Sequence, residues 1–224
     1  DRTVALAPEL SREKYTKAMV FVQWRGQLDT LRAVLEHGPE DYGVTSALRV
    51  RARLALWERR PDALLALLPE PQRVIFESQE AYEPALLYAA WADQLRGDSA
   101  AARRAFRGAL AQLDSALRSL PEDPRLHASR GLALAGLGQR AEAQQEADWL
   151  RAASGDLATM AAVYSLPRAL ILAQAGLTDA ALPVIELSLA GPSLNSGPML
   201  RLDPRWDPIR HDPRFQALMR RSGA

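Results

Sequence analysis

The residues best suited to chemistry are few and scattered. His37, His127 and His211 stand far apart, and none falls in an HExxH or other paired-ligand spacing. They read as surface or helix-capping side chains. Asp203, Asp207 and Asp212 lie close enough to suggest calcium. Each, however, precedes a proline, and the glycine and glutamate of an EF-hand loop are missing. An Asp-Pro pair suits a helix start instead: the carboxylate caps and the proline occupies the first turn. Ser129 and Ser165 lack a Gly-x-Ser-x-Gly setting, and no glycine-rich phosphate loop is present. There is no cysteine, which excludes disulfides, thiolate metal sites and a cysteine nucleophile. The expectation is a chain that is not an enzyme, with no metal site and no cofactor.

Arg49, Arg51, Arg53, Arg59 and Arg60 form the densest basic cluster. On a helix, positions 49, 53 and 60 share roughly one side. A formal net charge of +1 and the lack of a recognisable nucleic-acid module argue against a phosphate backbone as partner. Salt bridges to Glu58, or a solvated face, account for the cluster more simply. Lysine appears only at 14 and 17, and arginine predominance reads as codon usage. With 48% hydrophobic and 25% charged residues, the chain has ample material for a core. No apolar run approaches the ~18–20 residues that span a membrane. The sequence begins at Asp1 without methionine, and DRTVALAP reads as the end of a helix stopped by Pro8, so the chain is expected to be cut from something longer.

Helical hairpins must position whatever these residues do. Ser11 is expected to cap a helix over 12–25, with Gly26 turning into a second helix to about 37. Leu28, Leu31, Val34 and Leu35 keep helical spacing, and Gly38-Pro39 ends the pair. Ser46 is expected to open the next hairpin, which turns at Arg60-Pro61 into a helix over 62–68. Residues 69–83 are expected to form a longer, partly helical connection. A helix over 84–96 turns at Gly97-Asp98 into a long one over 99–120, where Ala102, Phe106, Ala109, Leu113, Leu117 and Leu120 make a continuous stripe. Asp123-Pro124 starts a hairpin turning at Gly138. Asp156 starts another, turning at Gly176, with Pro167 and Pro183 expected to kink or split its helices. The loop 191–197 leads to a tail of short turns and a last helix at 213–221.

The turns at Gly26, Arg60, Gly97, Gly138 and Gly176 are separated by 34, 37, 41 and 38 residues. Gly97, Gly138 and Gly176 are followed five residues later by Ala102, Ala143 and Ala181, and preceded by seven by Ala90, Gly131 and Ala169. Small residues at these points let the two helices of a hairpin cross closely. A 34-residue helix-turn-helix unit with this pattern resembles the tetratricopeptide repeat. The resemblance covers about residues 1–190, with the best match at 124–155. The fold class implied is all-α: a tetratricopeptide-like α-solenoid of about five hairpins over 1–190, then a loop and C-terminal capping helix over 191–224. Leu31 and Arg60 depart from the pattern. The ending LDPRWDPIRHDPRFQALMRR resembles the close of such arrays in bacterial signalling proteins, where the array accompanies a kinase, a cyclase or a winged-helix regulator. That implies a sensory or docking region, tethered to the inner membrane through a preceding segment; the compartment stays open.

Stacked hairpins leave a concave surface lined by their first helices. The positions that line it in the family fall here on Val50, Leu54 and Trp57; Leu87, Trp91 and Gln94; Ala128, Leu132 and Ala135; Val163, Leu166 and Leu170. The implied groove is apolar, with Trp57, Trp91, Leu87, Leu132 and Leu170 as anchors for a protein or peptide ligand. The same side chains suit a core between neighbouring hairpins. The clamp by which chaperone-type arrays hold a terminal carboxylate is absent, because Asn195 is the only asparagine and lies in the late loop. The expected partner is a peptide or partner helix, with no nucleic acid and no membrane insertion. The second reading is self-assembly into a homodimer.

Overall fold

The computed structural model describes residues 11–36, 44–154, 158–190 and 196–222. The expected features at Pro8, His37, Gly38-Pro39, Asp156 and Asn195 lie outside these. The protein is mostly helical, and strand among the described residues is confined to one short hairpin. The chain runs through α1 (Ser11–Arg25), α2 (Asp29–Glu36), α3 (Val44–Trp57) and α4 (Pro61–Leu67). Strands β1 (Ile75–Glu77) and β2 (Tyr82–Pro84) follow, then α5 (Ala85–Arg96), α6 (Ser99–Leu117), α7 (Pro124–Gly136), α8 (Arg140–Ser154), α9 (Ala158–Gln174) and α10 (Thr178–Ala190). The tail comprises α11 (Gly197–Leu202), a 3-10 turn (Pro204–Ile209) and α12 (Pro213–Arg221). None of the described helices is long and apolar enough to cross a membrane.

From α3 to α10 the helices pack chiefly on their sequence neighbours, as antiparallel hairpins do. Gly26, Gly97, Gly138 and Gly176 all have positive φ, as their turns require. In the remaining hairpin the left-handed residue is Arg59, with φ 53, not Arg60, so the unit is one residue shorter than the sequence spacing implies. The small positions are buried as expected: Ala90, Ala102, Gly131, Ala143, Ala169 and Ala181. Asp98 caps α6 by accepting from Ala101 N at 2.9 Å. Helix α3 starts at Val44, so Ser46 is inside it rather than its cap. Helices α9 and α10 continue through Pro167 and Pro183 without a break. The buried stretch 169–173 and buried Leu182, Val184 and Ile185 hold them helical despite the missing donors.

The connection after α4 contains a short 3-10 turn, but its main part is the antiparallel β1–β2 hairpin. Val74, Ile75 and Phe76 are an apolar run with β preference, and the four-residue loop closes through Ser78 N to Ala81 O. In this register Phe76 faces Glu83, so both lie on one face of the ribbon. Phe76 is buried, 5.1 Å edge-on to Tyr88.

The tail does more than cap the last hairpin. Helix α12 packs on α10 and α11, the 3-10 turn packs on α9, and α11 packs on α1 at the other end of the chain. Leu200, Trp206, Ile209, Phe215 and Met219 join the same continuous core as the hairpins. Helices α1 and α2 form a second cluster with Val50, Leu54 and Trp57, to which Met199 and Leu202 contribute.

Gly131 marks a close crossing, of α7 against α8 and α9. A Cβ there would meet Ile171 Cδ1 at 2.5 Å and Glu146 Cβ at 3.0 Å. Gly→Ala in an open helix stabilises by about 1 kcal/mol, whereas overpacking costs about 1–3 kcal/mol. Gly131→Ala is therefore expected to lower the urea midpoint; a raised midpoint would contradict the close crossing.

Candidate functional site

A cavity of about 660 Å³ lies between the first helices of the hairpins, α1 and the tail. Helix α3 contributes Arg49, Arg53 and Trp57; α5 contributes Tyr88; α7 contributes Arg125, Ala128, Ser129 and Leu132. Helix α9 adds Val163, Leu166, Pro167 and Leu170, and α1 adds Tyr15, Met19 and Val20. The tail supplies Leu200, Asp203, Arg205 and Trp206, and the β-hairpin supplies Glu80 and Glu83. Amphipathic helices turn a mixed apolar face toward this space. Pro167 also removes the donor that would engage the Val163 carbonyl, on a stretch of wall formed by both residues.

Of the groove residues the family resemblance implies, Trp57, Leu132 and Leu170 line the cavity, as do Ala128, Val163 and Leu166. Val50 borders a smaller cavity of about 170 Å³. Leu54 is packed in the α1–α3 cluster. Leu87 is fully buried in the main core, and Gln94 is exposed near the end of α5, away from the cavity. Trp91 is 2% exposed because the tail covers it: the Arg205 guanidinium lies 4.9 Å from its ring centre. Along α5, Tyr88 takes the wall position instead. Sequence reasoning missed Arg53, Tyr88 and Glu83, and every tail residue of the wall. One usable signal was present. Asp-Pro-Arg occurs at 123–125, 203–205 and 212–214. In each, the aspartate accepts from the arginine's backbone N–H (2.8–2.9 Å) and from its guanidinium. Asp207-Pro208 is followed by isoleucine, and Asp207 pairs instead with Arg59 at 2.6 Å and Arg210 at 2.6 Å, so it does not cap.

The polar end of the cavity is a charge network. Glu83 accepts from Arg49 Nε at 3.0 Å and from the Tyr88 hydroxyl at 2.9 Å. Burial raises the Glu83 carboxyl, but Arg49, Arg205, Arg53 and the Tyr88 hydrogen bond together carry it below the usual value. The same contest, won by Arg205 with help from Arg53, lowers Asp203. Burial and the Glu83 charge push the Tyr88 phenol up to about 12. The five arginines of the dense cluster thus separate. Arg49 faces Glu83, Arg51 donates to Leu35 O, Arg53 stacks on Trp57, Arg59 holds Asp207 and Arg60 stands 3.5 Å from Glu58.

Ser129 donates to Tyr82 O at 2.6 Å, tying α7 to the β-hairpin. His127 is not a surface residue. Its ring stacks on Trp149 at 3.6 Å, Nδ1 faces Glu146 at 2.6 Å and Nε2 faces Pro121 O at 2.9 Å. Both partners are acceptors, so both contacts are hydrogen bonds only in the imidazolium. Burial opposes that charge, but Glu146 and the Pro121 carbonyl outweigh it and raise the histidine above its ordinary value. His211 is exposed. No cluster of three metal-ligating side chains occurs among the described residues.

Comparison with family models, characterised proteins and solved structures gives no match to this chain. Its own geometry therefore carries the functional reading.

The network predicts an acid dependence. Asp203 and Glu83 have lowered folded values, so their contribution is complete above about pH 4 and is lost as pH falls through those values. Asp203→Asn keeps a cap but removes the buried charge, and is expected to cost about 3–5 kcal/mol at pH 7. It should also flatten the decline below pH 4. Urea unfolding of wild type and variant between pH 7 and pH 2 checks this; superimposable curves would refute it.

Proposed function

We propose that this chain is an interaction module with a tetratricopeptide-like array, whose concave cavity receives an extended segment of a partner protein. The single observation that carries this reading is the cavity of about 660 Å³ formed largely by the first helices of successive hairpins. Its size falls within the ~300–1,000 Å³ usual for ligand sites. Buried small residues at hairpin crossings and packing between sequence neighbours support the repeat reading. An α-helix with side chains is about 10–12 Å across. Helix α1 and the tail already stand over the concave face, so a short extended strand fits the remaining space better than a helix does. Leu132, Leu166 and Leu170 offer the apolar contacts and Trp57 an aromatic one. The resemblance of the tail to array endings in bacterial signalling proteins supports a docking role within a larger regulatory protein.

Ala128 lines the cavity from α7, and Ala128→Trp is expected to fill it. Peptides selected on the wild-type protein from a randomised display library should bind this variant at least ~10-fold more weakly, a loss of ~1.4 kcal/mol or more. Circular dichroism should be unchanged. Failure to enrich any peptide on wild type, or equal binding by a folded variant, would refute the proposal.

A further inference from the structure

Four guanidiniums reach the cavity wall, from Arg49, Arg53, Arg125 and Arg205. Three of them are committed. Arg49 holds Glu83 at 3.0 Å, Arg125 holds Asp123 at 2.7 Å and Arg205 holds Asp203 at 2.5 Å. Arg53 differs. Among the described residues no carboxylate oxygen lies within 4 Å of it, and its guanidinium carbon stands 4.8 Å from the Trp57 ring centre. It borders the small cavity as well as the large one.

A cation–π contact with the indole uses none of the guanidinium's N–H donors. The five donors therefore stay available for a carboxylate fork. A half-buried cation without a direct ion pair favours an anion that replaces its lost water. The acids on the wall do not meet that need. Glu83 and Asp203 are occupied, and Glu80 is exposed in the β-hairpin loop, where water screens it.

The tail's own acid does not serve Arg53: Leu200, Asp203 and Trp206 line the cavity, but Asp203 is held by Arg205 two residues on in the same segment. Leu132, Leu166 and Leu170 supply a further apolar stretch of wall. We infer that the partner segment carries one internal acidic side chain, seated on the edge of the Arg53 guanidinium and flanked by apolar residues. This rests on the docking reading above and adds the chemistry of the ligand.

The test uses an array of N-acetylated, C-amidated heptapeptides, so that neither chain end carries charge, probed with wild type, Arg53→Gln, Arg53→Lys and Ala128→Trp. Wild type should select peptides with one Asp or Glu between apolar residues. Exchanging that acid for Asn or Gln should weaken binding about 10-fold or more, as loss of a charge-assisted fork does. The advantage should shrink with added salt. Arg53→Gln should abolish the difference between acid and amide peptides while retaining binding of the amide form. Arg53→Lys should retain a preference for the acid. Arg53 also helps hold Glu83 and Asp203 ionised, so the acid-to-amide exchange in the peptide provides a test that needs no protein variant.

Equal binding of acid and amide peptides by wild type would overturn the inference and leave the docking reading in place. So would an acid preference that survives in Arg53→Gln. Binding of free-carboxylate peptides but not capped ones would overturn it in favour of a chain end. No selection at all on wild type, or selection unaffected by Ala128→Trp, would overturn the docking reading itself.

Discussion

Arg205 lies with its guanidinium carbon 4.9 Å from the centre of the Trp91 ring and donates to both oxygens of Asp203. Glu83, held by Arg49 and Tyr88, adds its charge from the β-hairpin. This contact fixes where the tail crosses the hairpins. An unpaired buried charge is strongly destabilising, whereas a complete network approximately offsets its desolvation. Its main effect is therefore geometric: the Asp203–Arg205 and Glu83–Arg49 pairs are each local, and what another position of the tail would lose is the Arg205 guanidinium over the Trp91 ring and beside the Glu83 charge. Trp206 and Ile209 then provide the apolar burial that holds the segment in place.

The consequence is a cavity walled on one side by the tail and α1. The hairpins pack on their sequence neighbours, and α11 carries the tail back to α1, where Ser196 Oγ donates to Gln23 O. Arg59 and Asp207 join α3's following turn to the tail across 148 residues. The polar and apolar parts of the cavity have different origins. Its apolar wall comes from helices that also build the core, while its charged end comes from the β-hairpin, the tail and one face of α3.

Local physics was readable in the chain, and contacts between distant segments were not. The positive-φ glycines, the buried alanines and the caps at Asp98, Asp123, Asp203 and Asp212 each depend on a few neighbouring residues. The β-hairpin was missed because Val74-Ile75-Phe76 is too short a run to separate strand from buried helix. Trp91 was assigned to the groove because repeat geometry alone cannot show the distant tail lying over it, and Leu87 because the same geometry does not separate a groove position from the core. Asp203 and Arg205 read as a helix start, which they are; that the same arginine reaches an indole depends on the tail folding back. Arg53 looked like one of five interchangeable surface arginines until Glu83, Asp207 and Leu35 O were seen to occupy three others.

The fold-back of the tail is the central claim, and a double-mutant cycle on Trp91→Leu and Arg205→Met tests it most directly. A desolvated cation–π pair predicts a coupling of about 1–2 kcal/mol in urea unfolding at neutral pH, with the double variant losing less than the sum of the singles. A coupling indistinguishable from zero would mean that Arg205 does not sit on Trp91, and that neither the cavity's tail wall nor its charged end is placed as described.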